Sequence, residues 1–476
     1  MHKIYISTII KLAKYKTLIT FYAIFSIING LLCITLTPPF QVADEPNHFM
    51  RVLQIAQGNL VGIRQSKTES GALLPMTAPM FAASFNKLPF APQEKVTADM
   101  LVKAMSLRWP SSLTFVSLSN TVIYPPTSYV GAVTGVLWAH TLHATPFGTL
   151  YLARIGNLVI NVGVSVCALL LSPEAGLFLV AILILPMSIS LMASCSQDGM
   201  VLALMALGIA CTLRWLRERN EKKRFVFACV GGISLGCVAA AKAPYIIMVC
   251  APLLFLNRHN IRYALTSCFN SVIVFFVWFF WGIRPTITTS APDGASASEQ
   301  SIFIVHHPIQ LIEAFFRTIY KSEKYFSQQF IGVLGWLDLH FPAFVYILVK
   351  IFLIFITLTF FLSEKGFPNK KLSNLRISGL IIIILSTIFG IFAALYLTWT
   401  PIGRPVIDGV QGRYFLPVVM LVALAPSLIK NTQDTQKLLP TKIYEIQKKA
   451  VVNLSVIIFM LFCYFTLYLC LLNRYW

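Results

Sequence analysis

Two adjacent acids, a histidine and an arginine stand in one short stretch, Pro38-Pro39-Phe40-Gln41-Val42-Ala43-Asp44-Glu45-Pro46-Asn47-His48-Phe49-Met50-Arg51. An ionised carboxylate can take the proton from a hydroxyl nucleophile. A lysine or arginine at the same level can hold a phosphate, arginine through two parallel hydrogen bonds. Further ionisable residues recur near the ends of apolar runs: Arg154, Asp198, Lys242, Arg404 and Arg413. Such groups at membrane depth are expensive and usually functional. Each has a plainer role available. Asp44, Glu45 and Asp198 could cap helices, Lys242 and Arg154 could snorkel, and Arg413 could anchor a helix end. As a set they suit a substrate with a phosphate at the headgroup plane and a lipid tail in the bilayer.

The elements that position them follow from the surrounding residues. Pro38 and Pro39 end the preceding helix, and Pro46 fits the first turn of a new one, which puts Glu45 at its N-cap. The new helix runs to a stop at Gly58. Phe49, Val52, Leu53 and Ala56 form its apolar face, with Asn47, Arg51 and Gln54 opposite, so it is expected to lie on the membrane rather than cross it. His48 follows Asp44 by four residues, a spacing that on a helix would let both reach one metal. The Pro46 break sets Asp44 outside the helix and favours a hydrogen-bonding role for His48. A divalent cation therefore stays open, and no other cofactor is implied.

The chain has 476 residues, 57% of them hydrophobic and 12% charged, with a mean hydropathy of +0.74. Long apolar runs at this frequency make an all-α polytopic membrane protein. The net charge of +20 comes from basic residues clustered in short loops beside apolar segments, which marks cytoplasmic loops and argues against nucleic-acid binding. The 10 cysteines fall in or beside apolar runs without metal-site spacing. They read as small, lipid-compatible residues.

Alternating the apolar runs between basic loops gives about 11 spans. Lys3, Lys11, Lys14 and Lys16 hold the N-terminus in the cytoplasm, and residues 17–37 form an anchor lacking a cleavage site. Residues 38–124 form a first external loop with short helices and no core of its own. The run at 125–145 opens with Tyr124-Pro125-Pro126 and carries His140 and His143. Parity of crossings makes it an interfacial helix. Spans follow near 150–171, 173–193, 199–215, 225–241, 244–257 and 263–283, with 244–257 short for a crossing. Residues 284–340 form a second external loop, mobile around Asp293 to Glu299, and both external segments are expected to contain interfacial helices. The last spans are 342–362, 376–397, 414–430 and 451–472, with basic cytoplasmic loops at 365–371 and 431–450. The organisation is thus an N-terminal membrane module, 1–283, the loop 284–340, and a C-terminal module, 341–476. This topology brings Asp44, Glu45, His48, Arg51, Arg154, Asp198, Lys242, Arg404 and Arg413 to one side.

The motifs Pro-Pro-Phe-Gln-x-x-Asp-Glu-Pro-x-His-Phe at 38–49, Tyr-Pro-Pro at 124–126, Ala-Arg at 153–154, Ser-x-Asp at 196–198, Lys242, and Gln-Gly-Arg-Tyr-Phe-Leu-Pro at 411–417 resemble a bacterial family of predicted membrane proteins. That family looks like a branch of the GT-C glycosyltransferases, multispanning enzymes that use lipid-linked sugar donors at the non-cytoplasmic face. The serotype-converting glucosyltransferases of O-antigen are similar in size and layout. The resemblance implies Asp44 as catalytic base with Glu45 as partner and Asp198 as a second acid. It implies Lys242, Arg413 and Arg154 as donor-phosphate ligands, and His48, Arg51, Tyr124, Gln411 and Tyr414 remain further site candidates.

The expectation is an inverting transfer of a sugar from a polyprenyl-phosphate donor to an O-antigen- or lipopolysaccharide-like glycan acceptor. The setting would be the periplasmic face of a bacterial inner membrane. A transporter or flippase of lipid-linked saccharides would use the same basic residues to move a phosphate. A non-enzymatic envelope assembly subunit would use the acids as caps. An O-antigen polymerase is close to the first reading in chemistry.

Overall fold

The computed structural model describes residues 2–289, 292–362, 370–429 and 460–476, with side chains from Thr17 onward and none at 362, 370 or 371. The expected basic loop 431–450, the start of the last span, most of the loop 365–371 and the N-terminal lysines' side chains lie outside the described residues. Among the described residues, eight helical segments are long and apolar enough to cross a membrane. They are Thr17–Leu36 in α1 (His2–Leu36), α6 (Pro146–Leu171), α9 (Asp198–Arg217), α10 (Glu221–Ala241), Ile261–Thr286, Ala343–Phe361, Leu372–Thr398 and Gly412–Ile429.

Two of the expected spans are built differently. Residues 173–193 form two short helices, α7 (Gly176–Leu183) and α8 (Pro186–Met192), almost wholly buried in the bundle. Pro186 cannot donate to the turn before it, so carbonyls at the break need other donors. The Ser188 hydroxyl donates to the Ile182 carbonyl at 2.7 Å, and the Tyr464 hydroxyl to that of Ile184 at 3.0 Å. Residues Ala243–Phe255 wind as a 3-10 helix. At about 2.0 Å per residue that run covers roughly 26 Å, which explains how so short a segment approaches the thickness of a hydrocarbon core.

The segment after α1 is a mixed cap whose hydrophobic core is shared with the bundle side. It comprises α2 (Glu45–Ala56), a three-stranded antiparallel sheet, α3 (Thr77–Ala83) and α4 (Ala98–Ser106). The strands β1 (Ile63–Arg64), β2 (Ser70–Pro75) and β3 (Leu113–Ser117) pair Ile63 with Gly71 and Gly71 with Ser117. Phe40, Phe49, Phe81, Phe85 and Leu88 fill the core with Tyr129 and Leu150 from the bundle side. The helix α2 does end where expected. Gly58 has φ +86°, and the amides of Gly58 and Asn59 donate to the carbonyls of Ile55 and Gln54, a Schellman closure. Its polar face is another matter. Arg51 and Gln54 are as buried as Phe49, because Arg51 donates to the carbonyls of Leu60 and Tyr124 and Gln54 to that of Val61. The helix is enclosed by the cap and does not lie on a membrane by one face.

The next helix, α5 (Val130–Thr141), has 12 residues. At about 18 Å it is too short to cross. It is packed on α6 by glycines, a device common between membrane helices. A Cβ at Gly135 would stand 2.1 Å from the Leu152 carbonyl oxygen, and one at Gly156 would stand 2.5 Å from that of Gly131.

From α10 the chain passes through the 3-10 run to α11 (Ile261–Trp278), a π-helical turn and α12 (Arg284–Thr286). The second expected loop then holds α13 (Ala297–His306) and the long α14 (Pro308–Gly332). The hairpin of β4 (Val333–Leu334) and β5 (Leu339–His340) leads to α15 (Ala343–Leu362) and α16 (Lys370–Thr398). Part of the stretch expected to be a loop, from Ala297 on, is the first turn of α13, which Ser296 caps through the Glu299 amide. The largest apolar core draws on both membrane modules, from Ile19 to Tyr475.

Gly135→Ala should lower thermal stability in detergent by roughly 1–3 kcal/mol, since backbone has to move. Gly163→Ala, on the same bundle with nothing within 4 Å, should leave the melting temperature unchanged or slightly raised. Equal behaviour of the two variants would remove the α5–α6 glycine contact from the account.

Candidate functional site

Asp44 immediately precedes α2 in the left-handed region, at φ +65° and ψ 0°. Aspartate tolerates that conformation better than most residues. The side chain makes no capping hydrogen bond, so the plain capping role is not the one observed. Its backbone is braced from the far end of the chain: the Ala43 amide donates to the Gly335 carbonyl, and the Trp336 indole to that of Phe40. The Asp44 side chain is 41% exposed, against 0% for Glu45.

The adjacent acids thus part company. Glu45 is the first residue of α2 and forms a buried pair with Arg154 at 2.5 Å. Its Oε1 also accepts from Arg154 Nε at 2.8 Å and from the Cys195 amide at 3.1 Å. Arg154 donates in addition to the carbonyls of Ile34, Thr37 and Pro38. Those five bonds match the five N–H donors of a guanidinium. Arg154, expected as a phosphate ligand, has no donor left for one, and Glu45 faces protein on all sides.

The remaining charges converge. Arg413 Nη2 donates to Asp44 Oδ2 at 3.1 Å, and its Nε lies 3.7 Å from Asp198 Oδ2. Lys242 Nζ lies 2.7 Å from Asp198 Oδ1 and 3.9 Å from the centre of the Tyr414 ring, a cation–π contact. The start of α2, the start of α9, the end of α10 and the start of the 412–429 helix therefore meet at one end of the bundle. Two acids and two bases balance in charge. Arg413 is nearly buried, while Asp198 and Lys242 remain partly open. The Arg413 Nε and the Gln411 Oε1 are buried without a hydrogen-bond partner.

Beside this cluster His48 is buried, with Nδ1 2.7 Å from the Tyr129 hydroxyl and its ring stacked on Tyr124 at 5.9 Å. Burial is the largest influence on the imidazole and lowers its pKa to about 4, against the attraction of Asp44 and Asp198. His48 is therefore neutral at ordinary pH. Burial also raises the hydroxyls of Tyr124 and Tyr129. Among the described residues no three His, Cys, Asp or Glu side chains converge as metal ligands. A cation on Asp44 and Asp198 would have to displace Arg413 and Lys242, so these residues do not fit a metal.

Other candidates lie apart. Arg51 is spent on Gln54 and two carbonyls, and burial lowers its pKa to about 10. Arg404 pairs locally with Asp408. A cavity of about 460 Å³ elsewhere in the cap is lined by Arg108, Trp109, His140 and His143 and shares no residue with the cluster. Three contributors were missed in the sequence. Tyr129 holds His48, Tyr245 donates to the Tyr414 carbonyl at 2.9 Å, and Gln329 accepts the Gly412 amide at 2.7 Å. Only Gln329 left a signal, as a polar residue on the buried face of an amphipathic helix.

Residues 27–422 match the family described as Predicted membrane protein (DUF2142), a range that holds all four charged residues of the cluster. No curated protein and no solved structure matches the chain.

Removing one member of a buried pair strands the other, at a cost of about 3–5 kcal/mol. Glu45→Ala and Arg154→Ala should each show this loss in thermal unfolding, whereas Asp44→Asn should stay within about 1 kcal/mol of wild type. A loss for Asp44→Asn matching that for Glu45→Ala would contradict the division between the two acids.

Stability should also fall with acid through His48. The unfolded chain takes up the proton near pH 6.5, which the folded chain refuses until about pH 4. The contribution is intact above pH 6.5, and up to roughly 3 kcal/mol is lost as pH falls through that window. Melting temperatures of His48→Gln against wild type from pH 7.5 to 4.5 should diverge accordingly, and parallel curves would rule the effect out.

Proposed function

We propose a catalytic role for this chain, which belongs to the Predicted membrane protein (DUF2142) family: transfer of a sugar from a polyprenyl-phosphate donor to an envelope glycan. The reading extends the GT-C resemblance of the motifs. It takes the cluster end of the bundle as the periplasmic face of a bacterial inner membrane. The observation that carries it is the half-exposed Asp44 carboxylate beside Arg413, with Lys242 joined through Asp198. Those are a base and a phosphate clamp at the ends of apolar helices.

In this mechanism the donor phosphate is held by Lys242 and Arg413, and its lipid chain stays in the bilayer. Asp44 accepts the proton of an acceptor hydroxyl while that oxygen bonds to the anomeric carbon. The bond from that carbon to the phosphate oxygen breaks, and the electron pair leaves with the phosphate. One displacement inverts the configuration. The departing phosphate is already ionised, so no strong general acid is needed, in contrast to glycoside hydrolysis with its paired carboxylates. Asp198 has each oxygen facing a base and serves to position Lys242 and Arg413. A phosphate on Arg413 would compete with Asp44 for that guanidinium, freeing the base once the donor is bound. Arg154 and Glu45 have no direct part, since their polar groups are occupied by each other and by backbone.

Purified protein in lipid, supplied with radiolabelled polyprenyl-phosphate sugars and envelope glycan, should transfer label to the glycan. Asp44→Asn should reduce the rate by about 10²–10⁴-fold with folding intact. Lys242→Gln should weaken donor use mainly through KM. Full activity in Asp44→Asn would refute the base assignment. Labelled lipid crossing the bilayer in both proteins without transfer would favour the flippase.

A further inference from the structure

The long helix α14 is not among the segments with the composition of a span, and its surface is divided three ways. Ala314, Thr318, Phe326 and Gln329 are buried against the bundle. Gln310, Glu313, Arg317, Lys321 and Lys324 lie on one polar edge by helical spacing. Ile309, Ile312, Phe316 and Tyr320 form a stripe at i, i+3, i+7 and i+11, with exposures of 68%, 49%, 63% and 86%. Over residues 309–320 apolar residues thus occupy a broad arc that includes most of the buried side and runs on into open surface, stopping at the charged edge, and the exposed Glu323 ends the stripe one turn further on. In water that stripe would be costly.

Depth settles what can cover it. Phe315, on the inner side of α14, packs edge-on against Phe389 and Phe392 of α16, with ring centroids 5.3 Å and 4.9 Å apart. Phe389 lies nine residues before Thr398, the end of that apolar helix, or about 14 Å along its axis. The stripe therefore lies alongside the last turns of a helix whose neighbouring Ile382 and Leu385 are themselves exposed apolar groups. The covering is continuous with whatever covers the spans.

We infer that α14 is an interfacial helix seated in one leaflet of the bilayer. Ile309, Ile312, Phe316 and Tyr320 contact acyl chains, and Arg317, Lys321 and Lys324 face headgroup phosphates. This places the membrane-surface role on α14 instead of on α2. It also ties that surface to the charged cluster, because Gln329 near the end of α14 accepts the Gly412 amide. A Cβ at Gly412 would stand 2.0 Å from the Phe326 carbonyl oxygen. The helix resting in the leaflet thus carries the backbone of Arg413 and sets its height against the phosphates.

The test uses the full chain in nanodiscs of phosphatidylethanolamine and phosphatidylglycerol, with photoreactive benzoylphenylalanine at one position at a time. Irradiation should give phospholipid adducts by mass spectrometry at positions 316 and 320, roughly tenfold above those at 310 and 321 on the polar edge. Crosslinks to a second copy of the chain, to another protein, or equal lipid labelling at all four positions would overturn the inference. So would absence of lipid adducts at 316 and 320. The readout does not pass through sugar transfer, so it stands or falls apart from the catalytic proposal.

Discussion

The buried pair between Glu45 and Arg154 is the constraint on which the surroundings of Asp44 depend. The last carbonyls of a helix have no partner within it, and α1 ends inside the protein. Arg154 closes that end by donating to Ile34 and Thr37, continues to Pro38, and uses its remaining donors on Glu45. Glu45 in turn accepts the Cys195 amide from the turn before α9. One ion pair therefore joins the end of α1, the start of α2, the middle of α6 and the approach to Asp198. With Glu45 drawn inward, the preceding residue has to turn over in the left-handed region, and its carboxylate faces the other way. A buried pair is weak support for net stability, because desolvation offsets the attraction. Its contribution here is geometric: it sets which of two adjacent acids is open.

That division was not legible in the chain. Glu45 and Asp44 are neighbours of the same charge, and Arg154 looks like any base near a helix end. The choice of partner depends on a separation of 109 residues in sequence. By contrast, the gathering of Asp44, Asp198, Lys242 and Arg413 was legible before any coordinates. Basic loops fix the direction of each span, and direction fixes which ends share a face. The misreadings have a common cause. For α2 the hydrophobic pattern indicated one wet face, but backbone carbonyls from the 60–61 loop and Tyr124 cover Arg51 and Gln54. Periodicity records side-chain polarity and says nothing of carbonyls arriving from elsewhere. Likewise Pro186 lies inside a run read as one span, and only the packed structure supplies the hydroxyls that make a broken helix tolerable inside a bundle.

The cluster itself is balanced so that it can stay folded without a ligand. An isolated lysine or arginine at this depth would be expensive, and each is matched by a carboxylate. The matching is uneven, however. Lys242 and Asp198 are close partners, whereas Arg413 reaches Asp44 at 3.1 Å and Asp198 only at 3.7 Å, leaving its Nε without a hydrogen bond. In the proposed mechanism, bidentate contact of Arg413 with a phosphate would replace its hydrogen bond to Asp44 and its longer contact with Asp198. A neutral His48 alongside adds no competing positive charge.

Gly412 connects this electrostatic arrangement to the packing of the whole molecule. Residue 412 is pressed against the backbone of α14, and its amide is bonded to Gln329. The position of Arg413 is therefore dictated by α14 as much as by the bundle helix it begins. Asp44 is dictated by Arg154 on one side and by the 335–336 turn on the other, and that turn directly follows the β-strand into which α14 runs. Both members of the Asp44–Arg413 contact thus trace back to one continuous stretch, α14 and its hairpin. A displacement of α14 would therefore reach Asp44 through the 335–336 turn and Arg413 through Gly412. Of the cluster's contacts, the one between Asp44 and Arg413 is the most exposed to such a change, because Asp198 and Lys242 sit on the adjoining ends of α9 and α10, away from that stretch.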